Sequence, residues 1–425
     1  MSREPMLDSW FREVPAYRIA ALRVVLATAT LCNYLPVLTA WLLEAAASPA
    51  TSASIPWIIH VPLPIVVVLL ALGFAAGAAL LVGWRPSLSA AYLVALGAYG
   101  YAVGNHSHNG FLHLLLLALV ALSSDGLTLR RLAGGRDTDA TCPAWPERLL
   151  RLQLAIVYFH TSIDKMFSPA WGLDGIRLTN LDPARVLPGV ADLESWTEDA
   201  IAAVPGLMSL AVIVGELFLA IGLSLRRLWP LAIAANISFA LLLEFLLVPA
   251  MFPWDLLALM ILFLPAADGG YRVRLGVGCG TCRAQRQVLS SLDWTRRLDL
   301  REEAETHGGF SIETPGGSRL GGWRAVALLP WALPAPFLSF LIAFRFGSEF
   351  VGRQTLGFRL DDLLFVLLGL WALLLLRVAD RGAARAAFER IAPIWNRALC
   401  RALRIEEPTD GCPRHRGERR HGSYS

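Results

Sequence analysis

A single lysine is the residue of this sequence best suited to do chemistry. Lys165 is the only lysine among the 425 residues, and it lies in the apolar run from Leu150 to Phe167. An ionisable side chain at membrane depth is costly, so its presence indicates a function. Burial can turn a lysine, but not an arginine, into a neutral amine that acts as a base or nucleophile. The alternative is an incidental lysine whose ammonium group reaches the membrane interface.

Other polar side chains share two turns of the predicted helix with Lys165. Helical spacing places His160 and Asp164 on one face of that helix. An adjacent face carries Tyr158, Thr161, Ser162 and Lys165. Three interpretations stay open: a base site in which histidine and a carboxylate support the lysine, a metal site with histidine and carboxylate ligands, and hydrogen bonds between helices that only specify packing.

Further candidate residues come from other apolar segments. The predicted topology brings several histidines to the membrane surface near Lys165: His60, His106, His108 and His113. Later segments add the acids Glu216, Glu244 and Asp255, of which Glu216 has the most apolar surroundings. No compact ligand motif such as HExxH is present, so metal binding is the weaker interpretation.

The composition is typical of a polytopic membrane protein. The chain is 55% hydrophobic and 17% charged, and a soluble protein of this size would carry more charge. Its net charge of +4 is too small to indicate a nucleic-acid partner. The six cysteines are scattered apart from one close pair, which is not the pattern of a secreted disulfide framework. The polar N-terminus lacks a small-residue cleavage site, so we predict no signal peptide.

Apolar runs long enough to cross a bilayer recur along the chain. The predicted spans cover residues 19–43, 57–82, 88–104, 108–122, 149–167, 203–224, 228–249 and 253–265, and two further apolar runs cover 325–345 and 360–377. Arginines cluster before the first predicted span and after the second, fourth, sixth and eighth, and all of these positions lie on one side of the membrane. This pattern places the N-terminus in the cytoplasm and Lys165 near the outer end of its span. We therefore predict an integral protein of a bacterial plasma membrane.

The residues around Lys165 resemble those of a known family. Its hallmark is an aromatic pair, a lysine, a tryptophan and a glycine, which here are Tyr158-Phe159, Lys165, Trp171 and Gly175. This family is the vitamin K-dependent gamma-carboxylase-like, horizontally transferred transmembrane (HTTM) family. The resemblance extends over roughly residues 10–270 and includes Glu216 and the run MFPWDLLAL.

The resemblance implies a chemistry for Lys165. In carboxylases of this family the lysine acts as, or near, the base that deprotonates vitamin K hydroquinone. A quinone or vitamin K-type quinol is therefore the implied cofactor. The chain departs from the carboxylases at Ser123-Ser124-Asp125, where they have an Asn-His pair, and it lacks their large extracytoplasmic domain. Carboxylation of peptidyl glutamate is therefore only weakly implied.

The close cysteine pair belongs to a different kind of segment. Cys279 and Cys282 follow a strand-like run that begins at Tyr271 and open the helical pattern CRAQRQVLSSLDW. The positive end of a helix dipole favours the thiolate of the first cysteine. RRLDL, GGFSIETPGGSRLGG and WRAVALL then predict a strand, a hairpin and a helix. The segment resembles the DCC family of thioredoxin-like thiol-disulfide oxidoreductases over about residues 271–345, although the usual Asp before the cysteines is absent. Zinc binding is the alternative.

The predicted fold is an all-α polytopic membrane bundle of about 8–10 spans with a small thioredoxin-like α/β domain near the C-terminus. We expect the HTTM-like bundle in residues 1–267, the thioredoxin-like segment in 268–345, and a last span with a basic cytoplasmic tail in 346–425. The prolines of the run 325–345 favour its inclusion in the thioredoxin-like segment. The arginine-rich tail instead favours an even number of spans, and on that basis we predict that both late runs cross the membrane.

The leading functional hypothesis is a membrane redox enzyme of vitamin K carboxylase-like type that acts on a quinol or another lipid-phase substrate. Its predicted catalytic residues are Lys165, His160, Asp164, Cys279 and Cys282, and its predicted cavity residues are Tyr158, His106, His113, Trp171 and Glu216. The expected partners are the lipid bilayer and a peptide or quinone substrate. One alternative is a non-enzymatic transporter or maturation factor for a secreted peptide, in which Lys165 pairs with Asp164 or Glu216. Another is a haem or metal protein with His113 and His160 as ligands.

Overall fold

The chain forms two compact units. The computed structural model describes residues 10–47, 61–103, 108–123, 127–134, 140–168, 205–246, 251–264, 270–276, 280–303 and 311–351. The helical unit comprises residues 1–129, 139–264 and 338–357, and the C-terminal unit comprises residues 130–138, 265–337 and 358–425.

Long helices make up the helical unit. They are α1 (Tyr17–Ala47), α2 (Leu63–Val82), α3 (Pro86–Ala102), α4 (His108–Leu122), α6 (Trp145–Phe167), α7 (Pro205–Ser224), α8 (Trp229–Leu246) and α9 (Met251–Leu259), and the short α5 (Leu129–Gly134) follows α4 in the chain. Strands β1 (Glu13–Pro15) and β2 (Thr141–Pro143) pair antiparallel. Each predicted span from 19–43 to 253–265 is helical over most of its described part.

Helix α1 is much more enclosed than α2. Its apolar window is 72% buried, whereas that of α2 is 28% buried. A π-helical turn over Thr30–Tyr34 interrupts α1. Small residues let the neighbouring helices approach this turn, as is common in membrane proteins: a Cβ atom at Gly97 of α3 would collide with the hydroxyl of Tyr34.

A buried arginine on α1 joins it to the end of α2. Arg23 is fully buried and donates hydrogen bonds to the carbonyls of Leu80 and Leu127. The carbonyls of a last helical turn lack the partners that interior carbonyls have, and the Leu80 carbonyl at the end of α2 accepts from both the Gly83 N–H and Arg23. The chain then leaves α2 through Gly83, whose φ of 80° is the left-handed conformation that favours glycine.

The C-terminal unit is a four-stranded sheet with helices. Its elements are β3 (Tyr271–Gly276), α10 (Gly280–Leu292), β4 (Leu298–Glu303), β5 (Ser311–Glu313), β6 (Arg319–Gly321), α11 (Trp323–Ala332) and the first part of α12 (Pro334–Val351). The strand order is β4-β3-β5-β6, with β3 parallel to β4 and the other pairs antiparallel. Val273, Leu275 and Ile312 form the core with residues of α11. The predicted strand, helix, strand, hairpin and helix are confirmed.

The run 325–345, predicted as one span, is not a single helix. Helices α11 and α12 meet at a bend of 88°, where Leu333 ends one helix and Pro334 begins the next. Proline cannot continue a helix without losing a backbone hydrogen bond. Ala325, Ala332 and Leu333 pack into the core of the C-terminal unit, so the first half of this run belongs to that unit. The other late run, 360–377, lies outside the described residues.

Length and composition identify fewer spans than the sequence predicted. Among the described residues, α1 and α2 are long and apolar enough to cross a membrane, and the number reaches four if each sharply bent helix pair is one span. The other such pair is α7 and α8, with a bend of 115°. Helix α6, which carries Lys165, is not among these candidates, since it has charged residues near both ends.

Candidate functional site

Lys165 and Glu216 form an ion pair between α6 and α7. The Lys165 ammonium donates to the two carboxylate oxygens of Glu216 at 2.8 and 2.9 Å. The side chains are 17% and 6% exposed, respectively. The prediction that Lys165 faces inward and reaches a polar side chain from another predicted span is confirmed. Of the two partners considered for an ion pair, the structure selects Glu216.

The face of α6 that carries Lys165 is lined with hydroxyl groups. The Ser162 hydroxyl is buried and donates to the carbonyl of Ile213 on α7 at 3.0 Å. The Thr161 hydroxyl donates to the carbonyl of Tyr158 within α6, at 3.2 Å. The Ser162 contact holds α6 against α7, so the lysine and the carboxylate meet in a defined geometry.

Tyr158 extends the polar contacts to a third helix. Its hydroxyl donates to the side-chain oxygen of Asn236 on α8, and the Asn236 amide donates to the carbonyl of Leu256 at 3.5 Å. The Tyr158 ring also meets Phe239 edge to face, with 6.0 Å between ring centroids. Tyr158 and Asn236 are both buried. Tyr158 is therefore a core residue behind the ion pair. The sequence had predicted that it lines a cavity, whereas the structure encloses it.

A second buried pair lies between α4 and α9. The His113 Nδ1 atom is 3.1 and 3.2 Å from the two carboxylate oxygens of Asp255. Its Nε2 atom is 2.9 Å from the hydroxyl oxygen of Thr30, in the π-helical turn of α1. The Tyr34 ring lies beside the imidazole at 5.0 Å between centroids. The sequence had singled out both His113 and Asp255 but not their pairing.

Sequence comparison assigns most of this region to one family. The HTTM domain matches residues 11–267, a segment that contains α1 to α9 and both buried pairs. The chain belongs to the HTTM domain family. It is accordingly a membrane protein, as its apolar helices also indicate. No curated protein sequence and no solved structure matches the chain.

Two predicted catalytic residues of the HTTM domain lie away from the ion pair. His160 and Asp164 lie one helical turn apart on the outer face of α6, and their side chains are exposed. The predicted division of α6 into two polar faces is thus confirmed, but the structure does not bring these two residues to Lys165. A haem bound between His113 and His160 stays a prediction; both ring nitrogens of His113 are engaged within the protein, while His160 is exposed.

Several predicted site residues fall outside what can be placed. His106, Trp171 and Cys279 lie outside the described residues, and so does the side chain of Glu244. Cys282 is buried in the first turns of α10 and is disulfide-bonded. Within the described part of the chain, no three His, Cys, Asp or Glu side chains are grouped closely enough to hold a metal ion.

Charged groups of the C-terminal unit lie on an open face of its sheet. Arg272 and Arg274 both pair with Glu313, at 3.2 and 2.7 Å. Hydrogen bonds from Arg274 lower the pKa of Glu313. Asp293 differs, since its carboxylate accepts the backbone N–H groups of Arg297 and Leu298 at 2.8 and 2.9 Å. Burial raises the pKa of Asp293, and these hydrogen bonds oppose the shift.

Proposed function

We propose that this HTTM protein is a polytopic membrane enzyme whose Lys165–Glu216 pair takes a proton from a lipid-phase quinol. The observation that carries the proposal is the pairing itself. The one lysine of the chain meets a buried carboxylate from another helix at 2.8 Å. Two ionisable groups in such surroundings are costly, and function is the usual reason for retaining them.

The pair can supply a neutral amine without separating charge. Transfer of one proton from the Lys165 ammonium to the Glu216 carboxylate yields an amine and a carboxylic acid with the same net charge. Poorly hydrated surroundings penalise the ionised form more than the neutral form. The amine then accepts the proton of a quinol hydroxyl, and the quinolate that results is the form that gives up electrons readily.

Both helices that carry the pair also expose apolar side chains, which suits a hydrophobic substrate. Met166 and Phe167 of α6 are 50% and 79% exposed, and Leu210 and Val214 of α7 are 53% and 55% exposed. A ligand dissolved in lipid approaches such a surface without desolvation cost. The resemblance to vitamin K-dependent carboxylases, whose lysine works on a quinol, supports the same substrate class.

Quinol turnover by the full chain in lipid nanodiscs tests this proposal. Menadiol is the probe, and its oxidation is followed optically under dioxygen. General acid–base catalysis contributes about a hundredfold or more, so Lys165→Met and Lys165→Arg should each lose activity by about that factor. Arginine keeps the charge but cannot be deprotonated. Asp164→Asn is the matched control, since its exposed side chain lies on the other face of α6. Wild-type protein that does not accelerate menadiol oxidation would refute the quinol assignment.

Labelling the lysine side chain gives a more direct readout. Because Lys165 is the only lysine, ¹⁵Nζ-lysine labelling produces one signal that needs no assignment. We expect menadiol to shift this signal in the wild type and Glu216→Gln to alter it without substrate. A signal unmoved by saturating menadiol would contradict proton transfer to Lys165.

A non-enzymatic membrane protein is the second candidate, and the same contact favours it. An ion pair between α6 and α7 also serves to fix helix packing in a transporter or maturation factor. In that case Lys165→Arg protein should keep the wild-type melting temperature and should complement any phenotype that is lost on deletion, because arginine also pairs with Glu216. Lys165→Met protein should have a lower melting temperature and should not complement the deletion. Full rescue by arginine would eliminate the base role.

We further propose a dithiol function for the C-terminal unit. The support is its order of elements: a strand, a helix that carries disulfide-bonded Cys282 near its start, and a parallel strand, the arrangement expected of a thioredoxin-like motif. Oxidation of the Cys279–Cys282 dithiol by a quinone would form a disulfide and a quinol, with two electrons and two protons transferred. Menadione reduction by dithiol-reduced protein should vanish in Cys282→Ser. A thiol reagent that cannot cross membranes should leave Cys279 unlabelled in intact cells if this unit is cytoplasmic.

A further inference from the structure

The proposed reaction at Lys165 does not use the most deeply buried polar cluster of the HTTM domain. Thr30, His113 and Asp255 come from three different helices, and the side chains of His113 and Asp255 are both 0% exposed. Thr30 lies in a π-helical turn, a feature that occurs often at functional sites. The hydrogen bonds of this cluster determine where its protons must be.

The hydroxyl of Thr30 has a single hydrogen, which it donates to a backbone carbonyl. Thr30 Oγ1 lies 2.8 Å from the Leu26 carbonyl oxygen, one turn earlier on α1. A carbonyl oxygen only accepts, so the threonine hydrogen must point towards it. The oxygen of the same hydroxyl is 2.9 Å from His113 Nε2. The hydrogen in the contact between Thr30 and His113 must therefore come from His113, so Nε2 is protonated.

The contact between His113 and Asp255 requires a second proton. Nδ1 lies 3.1 and 3.2 Å from the carboxylate oxygens. Without a hydrogen between them, the lone pair of Nδ1 would face the lone pairs of an ionised carboxylate. Because both side chains are fully buried, that repulsion and the unpaired charge would both be costly. A hydrogen therefore lies in this contact, on the imidazole or on the carboxyl group.

We propose that Thr30, His113 and Asp255 form a proton-binding centre in the core of the HTTM domain. It holds one proton more than a neutral histidine beside an ionised aspartate, which keeps the cluster electrically neutral. This proposal does not depend on the reaction at Lys165. The two sites are nevertheless connected: Leu256, the neighbour of Asp255, accepts a hydrogen bond from Asn236, and Asn236 accepts one from Tyr158 on the helix of Lys165.

Solid-state NMR of the full chain in lipid bilayers at neutral pH tests the centre directly. Histidine is labelled with ¹⁵N and aspartate with ¹³C, and the signals of His113 are assigned by their loss in His113→Phe. We expect its Nε2 to carry a hydrogen and the Nδ1–Asp255 contact to contain another. An unprotonated Nε2, or an Nδ1–carboxylate contact without a hydrogen, would overturn the proposal. This measurement is made without quinol, so its failure is distinct from a failure at Lys165.

Two substitutions at Thr30 test the hydrogen-bond logic. Thr30→Val keeps the shape but removes the hydroxyl, and a buried N–H without an acceptor is costly. We expect the Nε2 hydrogen to be lost in this variant, which leaves His113 with Nδ1–H only. Thr30→Ser, the matched control, keeps the hydroxyl and should retain the wild-type signals. Retention of the Nε2 hydrogen in Thr30→Val would show that Thr30 is not its acceptor and would refute the proposed centre.

Discussion

Charge pairs occur in both units of this protein, but in opposite surroundings. In the HTTM domain, Lys165–Glu216 and His113–Asp255 each join two helices and are buried or nearly so. In the C-terminal unit, Arg272 and Glu313 pair on an open sheet face, where their side chains are 39% and 22% exposed. Each pair joins a basic side chain to a carboxylate, and the pairs differ most in their access to water.

This difference determines what each pair contributes. When an exposed pair is broken, water solvates both charged groups, so the loss of the pair costs little stability. A buried pair contributes little more than a well-packed apolar pair would, yet removal of one partner leaves a charge or polar group without compensation. The HTTM pairs should therefore be sensitive to single substitutions and tolerant of paired ones, whereas the sheet pairs should be insensitive to both.

The largest effect is expected at Asp255. Asp255→Leu leaves the fully buried His113 without its carboxylate, and breaking a buried pair in this way costs about 3–5 kcal/mol. Adding His113→Phe should recover much of the loss, because both partners are then apolar. Thermal unfolding in detergent, followed for the two single variants and the double variant, measures the coupling. Equal losses in the Asp255 variant and the double variant would show that the pair does not act as a unit.

Glu216→Gln should have the next largest effect. The glutamine still accepts a hydrogen bond, and water reaches Lys165 to some extent, so we expect a loss of about 1–3 kcal/mol. Combination with Lys165→Met should return the melting temperature towards the wild type. A double variant that is less stable than Glu216→Gln alone would break the analogy between the two buried pairs.

Tyr158→Phe isolates a buried hydrogen bond without charge. The substitution removes only the hydroxyl that donates to Asn236, and an unsatisfied buried acceptor costs about 1–3 kcal/mol, towards the lower end for an uncharged group. The measurement is again the unfolding transition, with Phe159→Leu as the control because Phe159 is exposed. A Tyr158→Phe variant as stable as the wild type would mean that Asn236 finds another donor.

The smallest effect is expected on the sheet, and it should depend on pH. Arg274 lowers the pKa of Glu313 below its usual value of 4.5, so the folded state binds this proton less readily than the unfolded state. The stabilisation is therefore complete above pH 4.5 and is lost as the pH falls through the lowered pKa. Glu313→Gln should remove this dependence. Hydrogen exchange of the Val273 and Ile312 amides between pH 3 and 6 tests it, and identical profiles for wild type and variant would contradict the assigned ion pairs.

The two units also differ in how well the sequence predicted them. In the C-terminal unit, the alternation of Val273 and Leu275 with arginines predicted β3, and the amphipathic pattern after it predicted α10, because strand and helix periods are local. In the HTTM domain, the same local logic predicted which side chains of α6 face inward. It could not predict that Tyr158 would be enclosed, since burial depends on how α8 packs.

The sequence by itself determined the helices and the family, and it singled out Lys165 as a candidate residue. A lysine in an apolar run is informative without coordinates because an ionisable group at membrane depth is costly unless it finds a polar partner. Only the tertiary structure decided the partners. Glu216 is 51 residues from Lys165 and Asp255 is 142 residues from His113. A helical repeat of 3.6 residues fixes neighbours within a turn or two, whereas contacts over such separations depend on the packing of the whole unit.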